Sequence, residues 1–184
     1  MDGPVRFKVQ RSTRPSLIED TSLQPLAIVD LDGVVADVRH RVRHVERHPK
    51  DWGAFFAAAV HDPPHEEGLA VVRRLTLDHE VVFLTGRPER TRRDTVRWLR
   101  GHGLDGHRLV MRPEHDHRPA AQVKVGLLRK LADGREVAVV VDDDLDVVKA
   151  MQRAGYPTLH ATWEPRSRKD QRSLHIAQED EGRT

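Results

Sequence analysis

Two aspartates one residue apart, Asp30 and Asp32, are followed at once by Gly33, and far along the chain Asp142, Asp143 and Asp144 stand in a row. Carboxylates gathered this closely repel one another and persist together only with a cation or a shared proton among them. A hard divalent cation with oxygen ligands fits Asp142 and Asp143. Between the two acidic groups lies Thr85-Gly86-Arg87-Pro88, which offers a hydroxyl, backbone amides and a guanidinium. Those groups suit phosphate oxygens, and Pro88 at a helix start would aim a helix N-terminus at them. Lys124 could add a compact positive charge. Each piece also has a plainer reading. Asp-x-Asp alone can be a helix cap beside a surface acid, Thr-Gly-Arg a common strand–turn–helix junction, and a single lysine merely solvated. Asp144 is expected to cap the helix in which Leu145, Val148 and Met151 recur.

These residues need elements that bring them together. Leu26–Asp30, Glu80–Thr85, Arg108–Met111 and Val137–Asp142 are short apolar runs, the pattern of strands covered on both faces. Tyr156–His160 reads as a last edge strand, because Pro157 cannot donate to a central ladder. The stretches between have helical spacing. Leu69, Val72 and Leu75 precede the second strand; Thr95, Val96 and Leu99 follow it, stopped by Gly101 and Gly103; Val123, Leu127, Leu128 and Leu131 lie on a helix starting near Pro119. Strand and helix in alternation argue for an α/β fold, a parallel sheet with helices on both faces. Such folds collect functional residues at the carboxyl ends of their strands, where these polar groups fall. Gly33 would let the chain turn there, so that Asp30 and Asp32 converge instead of pointing to opposite faces.

Composition narrows the class. The 184 residues fit one domain, and 31 basic against 29 acidic side chains mark no strong polyelectrolyte. With no cysteine, disulfides, thiolate zinc sites and cysteine nucleophiles are excluded together. No apolar run approaches the roughly 20 residues that cross a bilayer, and the start lacks the order of a secretory signal, so a cytoplasmic protein without a membrane partner is expected. Residues 1–24 and 165–184 carry mixed charge without period and are expected to be flexible segments outside a 25–164 domain.

The ordered series Asp-x-Asp, Thr, Lys, Asp-Asp resembles the haloacid dehalogenase (HAD) phosphatase superfamily across about residues 26–160. The resemblance implies a three-layer, Rossmann-like (HAD-type) parallel sheet with a small cap insertion. Thr-Gly-Arg, the acid pair and Arg112-Pro-Glu-His-Asp116-His-Arg118, six residues before Lys124, look like the 3′-phosphatase domain of phage polynucleotide kinase. It implies a phosphoric monoester phosphatase in which Asp30 is the nucleophile and Asp32 the proton donor and acceptor, with Thr85 and Lys124 on the phosphoryl oxygens. Mg2+ would be held by Asp30, the Asp32 carbonyl, Asp142 and Asp143. Substrate contacts would come from Arg41, Gly86, Arg87, Arg112, Asp116 and Arg118, with the four arginines around the mouth of the site. A phosphorylated partner, a DNA or RNA 3′ end, is the implied substrate; a small phosphorylated metabolite or free nucleotide is the alternative, and an inactive binding domain a third. The phage domain has an acid where Ala120 stands here, with Asp116 a candidate replacement. No Gly-x-x-x-x-Gly-Lys-Ser/Thr segment is present, so 5′-phosphorylation is not expected.

The insertion, about residues 37–64, is short, which favours an open site and a large substrate end. Trp52, Phe55 and Phe56 are expected to pack part of it onto the body, the commoner use of such aromatics than base stacking. His40, His44 and His48 would share one helix face and could hold zinc, though a solvated basic face is the better reading and Pro49 ends that helix. His115 and His117 are expected at the substrate edge or the surface.

Overall fold

The computed structural model describes residues 24–46 and 48–163. The two segments expected to be flexible, 1–24 and 165–184, lie outside these residues but for Gln24. Five parallel strands form one sheet: β1 (Leu26–Val29), β2 (Glu80–Pro88), β3 (Arg108–Arg112), β4 (Val137–Asp142) and β5 (Thr158–His160), in the order β3-β2-β1-β4-β5. Helices α3 (Glu66–Leu75), α4 (Arg92–Gly101), α5 (Ala120–Ala132) and α6 (Leu145–Arg153) cover its faces, and α1 (Arg39–Glu46) and α2 (Trp52–Ala57) lie in the insertion. This is a three-layer α/β arrangement.

The two-residue period of the strands divides the core. Ala27, Val29, Val81 and Phe83 face one side with Leu69, Val72, Trp98 and Leu99. Leu26, Ile28, Val82 and Leu84 face the other, with Leu128, Leu131, Val147 and Met151. Every side chain of β1 is buried, so the continuous apolar run follows from a strand with helices above and below. Burying each such valine or leucine contributes about 1.5–3 kcal/mol.

After β1 the chain turns at Gly33, whose φ of 81° lies where glycine is favoured. The Leu31 carbonyl accepts from the amides of Val34, Val35 and Ala36 and closes this turn. Helix α3 seats Gly68 directly on it: a Cβ at Gly68 would lie 1.9 Å from the Val34 carbonyl oxygen. Trp163 donates to the same carbonyl.

Some sequence expectations need correcting. The second strand runs on through Thr85-Gly86-Arg87 to Pro88, with an irregular register against β3 between Leu84 and Pro88. Helix α4 therefore begins only at Arg92, after a 3-10 turn, and Pro88 does not open it. The last strand is shorter than expected but does lie at the sheet edge. Helix α1 stops at Glu46, so His48 is not on the helix that carries His40 and His44. Among the described residues no histidine belongs to a metal-competent cluster.

The insertion is tied at its base by a bond from the Asp37 amide to the Pro63 carbonyl and by an Ala36–Pro64 bridge. Inside it Phe55 and Phe56 pack with Val38, Val42 and Val45 in a core of their own, with Trp52 against it.

Candidate active site

The strand ends gather the carboxylates. The Asp30 amide donates to the Val141 carbonyl (2.9 Å), which sets the end of β1 beside the end of β4. Asp30 continues the even-numbered side of β1, the face covered by α5, and Lys124 reaches it from that helix. The Lys124 ammonium lies 3.0 Å from Asp30 Oδ2 and 2.7 Å from Asp142 Oδ2, all three groups buried. Asp143 completes a buried cluster in which one oxygen from each of Asp30, Asp142 and Asp143 lies within 4.8 Å of the others. Asp30 Oδ1 is buried without a hydrogen-bond partner.

The electrostatics follow from this crowding. Burial raises the Asp30 pKa well above an ordinary carboxyl; Lys124 opposes the rise, and Asp142, Asp143 and Asp32 add to it. Asp142 is raised for the same first reason, with Lys124 again opposing and Asp144 adding. Burial alone would depress the Lys124 ammonium, but Asp142 and Asp30 overcome it and hold the pKa above that of a free lysine. Asp144 caps α6 as expected, accepting from the amides of Asp146 and Val147.

Asp32 belongs to a second cluster. Its Oδ1 accepts from Arg41 Nη2 (2.8 Å), Arg87 Nε (2.9 Å) and Arg87 Nη2 (2.6 Å). Both guanidiniums also donate to Asp62, whose side chain is fully enclosed: Arg41 Nε to Oδ1, Arg41 Nη2 and Arg87 Nη2 to Oδ2, each at 2.8 Å. Burial would lower the Arg87 pKa, yet Asp32 and Asp62 raise it above that of a free arginine. Thr85 is buried within β2, and its hydroxyl accepts from the Arg87 amide (3.2 Å).

Of the four arginines expected around a mouth, three are buried and Arg118 is exposed. Arg41 and Arg87 are among the most deeply buried side chains and grip acids of the protein itself. Arg112 is buried too, and its Nη1 donates to the carbonyls of Asp116 and Arg118, pinning the loop after β3. Arg118 is at the surface in a pair with Asp116 (2.5 Å), which lowers the Asp116 pKa. Gly86 is buried within β2, and His115 and His117 are exposed. Asp116 is engaged by Arg118 and not by Lys124, while Ala120, at the place of the absent acid, is the buried first residue of α5.

Sequence reasoning passed over Asp62. It stands before Pro63-Pro64 and reads as a loop acid, the common role of Asp-Pro. The signal that could have found it is charge balance: Arg41 and Arg87, if buried with Asp32 instead of set around the mouth, call for a second carboxylate.

Comparison with known proteins agrees with this geometry. The family model of the polynucleotide kinase PNKP phosphatase domain matches residues 24–163. No curated protein matches. A chain of the Pnkp1/Rnl/Hen1 RNA repair complex is 26% identical with a TM-score of 0.63, covering 77% of this chain and 43% of that one. This chain thus spans less than half the length of that relative. Haloacid dehalogenase-like hydrolase SP0104 from Streptococcus pneumoniae superposes with a TM-score of 0.58 at 13% identity over 82% of this chain and 90% of that one. The HAD hydrolase YfnB from Bacillus subtilis, bound to magnesium, gives 0.57 at 10% over 78% and 91%. The two hydrolases share the fold, and the family match extends through every element that carries the two acidic clusters: the chain belongs to the family of the polynucleotide kinase PNKP phosphatase domain and is a haloacid dehalogenase-type phosphatase.

Proposed function

We propose that this phosphatase is a magnesium-dependent phosphomonoesterase that works through an aspartyl-phosphate on Asp30 and takes 3′-phosphate ends of polynucleotides or nucleotides. The observation that carries the chemistry is the state of Asp30: enclosed, one oxygen against Lys124, the other without a hydrogen-bond partner, and the carboxylate clustered with Asp142 and Asp143. Three buried carboxylates against one ammonium suit a hard divalent cation. Asp30, Asp142 and Asp143, with the Asp32 carbonyl, would hold it. When bound, such a cation offsets the repulsion among the acids and draws charge from the phosphoryl oxygens.

In the first step an Asp30 oxygen bonds to phosphorus. The bond from phosphorus to the ester oxygen breaks with its electron pair, and Asp32 gives that oxygen a proton, so a neutral alcohol departs. In the second, water oxygen bonds to phosphorus and its proton passes to Asp32. The Asp30–phosphorus bond breaks, and inorganic phosphate leaves. Lys124 and Thr85 stabilise charge on the transferring oxygens. The guanidinium bonds on Asp32 Oδ1 fix the carboxylate that must meet the leaving oxygen.

The family match and the likeness to an RNA repair chain support a polynucleotide end as substrate. One observation favours the second reading, a small phosphate ester: Arg41 and Arg87 are spent on internal acids and Arg118 is paired with Asp116. The readings part on kcat/KM for a 3′-phosphorylated oligonucleotide against the matching 3′-mononucleotide and a small aryl phosphate, at two salt concentrations. A polynucleotide enzyme prefers the oligonucleotide and loses that preference with salt, as counterion release requires. Replacing Arg118 by alanine should then cost the oligonucleotide reaction more than the aryl one. No oligonucleotide preference at low salt would leave the small ester as the substrate.

A further inference from the structure

Each Nη2 of Arg41 and Arg87 has two N–H bonds, and in both residues it donates to Asp32 Oδ1 and to Asp62 Oδ2. Asp62 therefore sets the rotation of both guanidiniums within their own planes. Aromatic rings set the tilt: the Arg41 guanidinium lies 4.3 Å from the Phe55 ring centroid and that of Arg87 5.9 Å from Trp98. Asp62 is itself held from three directions. Its carbonyl accepts from Trp98 Nε1 (2.8 Å), its amide donates to the Ala59 carbonyl, and His40 Nε2, one-third exposed, bonds Oδ1 at 2.8 Å. Asp62 and Arg41 come from the insertion, Arg87 from β2 and Asp32 from the turn after β1, so the four groups link insertion to strand ends.

We infer that Asp62 is a positioning residue for the acid–base carboxylate Asp32, acting through Arg41 and Arg87, with His40 steadying it from the solvent side. The inference rests on the reading of Asp32 as proton donor. It makes the insertion a carrier of the catalytic acid's support. Two guanidiniums shared between two acids are rigid because planar forks bonded at both edges cannot turn without breaking several bonds at once. Loss of Asp62 frees one edge of each fork, and Asp32 then drifts from the leaving oxygen while Asp30, Lys124 and Asp142 stay in place.

The consequence is selective. A poor leaving group, such as the sugar oxygen of a 3′-mononucleotide, needs the proton from Asp32 in the first step; the oxygen of p-nitrophenyl phosphate scarcely does. Release of the leaving group is measured in a single turnover with magnesium, using the full chain, Asp62→Asn and His40→Leu. Asp62→Asn should lose roughly tenfold or more on the mononucleotide relative to the aryl ester, in the single-turnover rate constant with the half-saturating concentration little changed. His40→Leu should shift the same ratio by a few-fold. Equal losses on both esters, or no loss, would overturn the inference. Should Asp62→Asn not fold, His40→Leu decides on the same terms. A second readout needs no turnover: exchange of the buried, bonded Arg41 and Arg87 Nε–H protons should be slow in the native chain and quicken in either variant, and unchanged exchange sinks the positioning role. If the native chain hydrolyses neither ester while exchange behaves as expected, the acid–base reading of Asp32 fails and the brace from Asp62 stands.

Discussion

The two acidic clusters begin two residues apart on the same strand end, yet they are opposite in kind. Around Asp30, three buried carboxylates meet one lysine, and an acid oxygen is left without a hydrogen bond. Around Asp32, two carboxylates meet two guanidiniums at hydrogen-bond distances, and Arg41 Nη1 is buried without a partner. The first is short of positive charge and depends on something it must bind; the second is balanced within the fold. A site that transfers phosphoryl groups needs both kinds. Charge must be supplied where the phosphate arrives, and geometry must already be fixed where the proton moves.

The contrast is broken hardest at Asp30. Asp30→Asn keeps the shape and removes the nucleophile, so kcat should fall by roughly 10^4 or more. Because the substitution also removes one of three crowded carboxylates, the melting temperature should hold or rise. Activity within tenfold of the native chain would end the assignment, and a large drop in melting temperature would show that the cluster is not short of positive charge.

Asp62→Asn should do the reverse to stability. It leaves two buried guanidiniums against one carboxylate, and breaking a buried pair costs about 3–5 kcal/mol. A urea midpoint unchanged from the native chain would contradict the balanced cluster.

Magnesium sharpens the same comparison. An ion that binds the folded chain alone stabilises it, by about 2.7 kcal/mol at a hundred times its dissociation constant. Thermal melts should therefore move upward with magnesium in the native chain and hardly at all in Asp142→Asn. Chelation should abolish turnover and magnesium restore it, with calcium a poor substitute because its geometry is looser. A melt insensitive to magnesium, with full turnover in chelator, would remove the metal from the reading.

The sequence was legible where one rule governed it. Apolar runs ending in acids revealed β1 and β4 because burial on both faces demands an unbroken run. Asp144 was legible as a cap because its signal is local. The arginines were not. Arg41 and Arg87 have the residue type that binds phosphate and equally the type that braces carboxylates, and only the position of Asp62, brought in by the insertion, decides which acids they meet. The start of α4 was misplaced for a related reason. Pro88 commonly opens a helix, but here it ends a strand whose irregular register against β3 carries Arg87 inward.

A third ion pair, between the two clusters and the surface, gives the smallest effect. Asp37 closes the base of the insertion, and its carboxylate accepts from the Arg39 backbone amide (3.0 Å) and from the Arg39 guanidinium. Those side-chain bonds, against the opposing effect of burial, lower its pKa from 3.8 to about 2. A carboxyl with a pKa lowered by folding stabilises the fold while ionised, so its contribution is complete above 3.8 and fades as the pH falls toward about 2. Arg39 is largely exposed, and salt and solvent screen such a pair, so it is worth roughly 1 kcal/mol or less. Asp37→Asn should therefore lower the melting temperature slightly at pH 7, and the gap from the native chain should narrow as the pH is brought from 5 down toward 2.5. Turnover at neutral pH should stay within about twofold, since a weak exposed pair at the insertion's base leaves the bonds of Asp62 unbroken. A gap that widens toward low pH would reverse the sign assigned to Asp37. A large loss of turnover would mean that the base of the insertion, and not the buried quartet alone, fixes the position of Asp32.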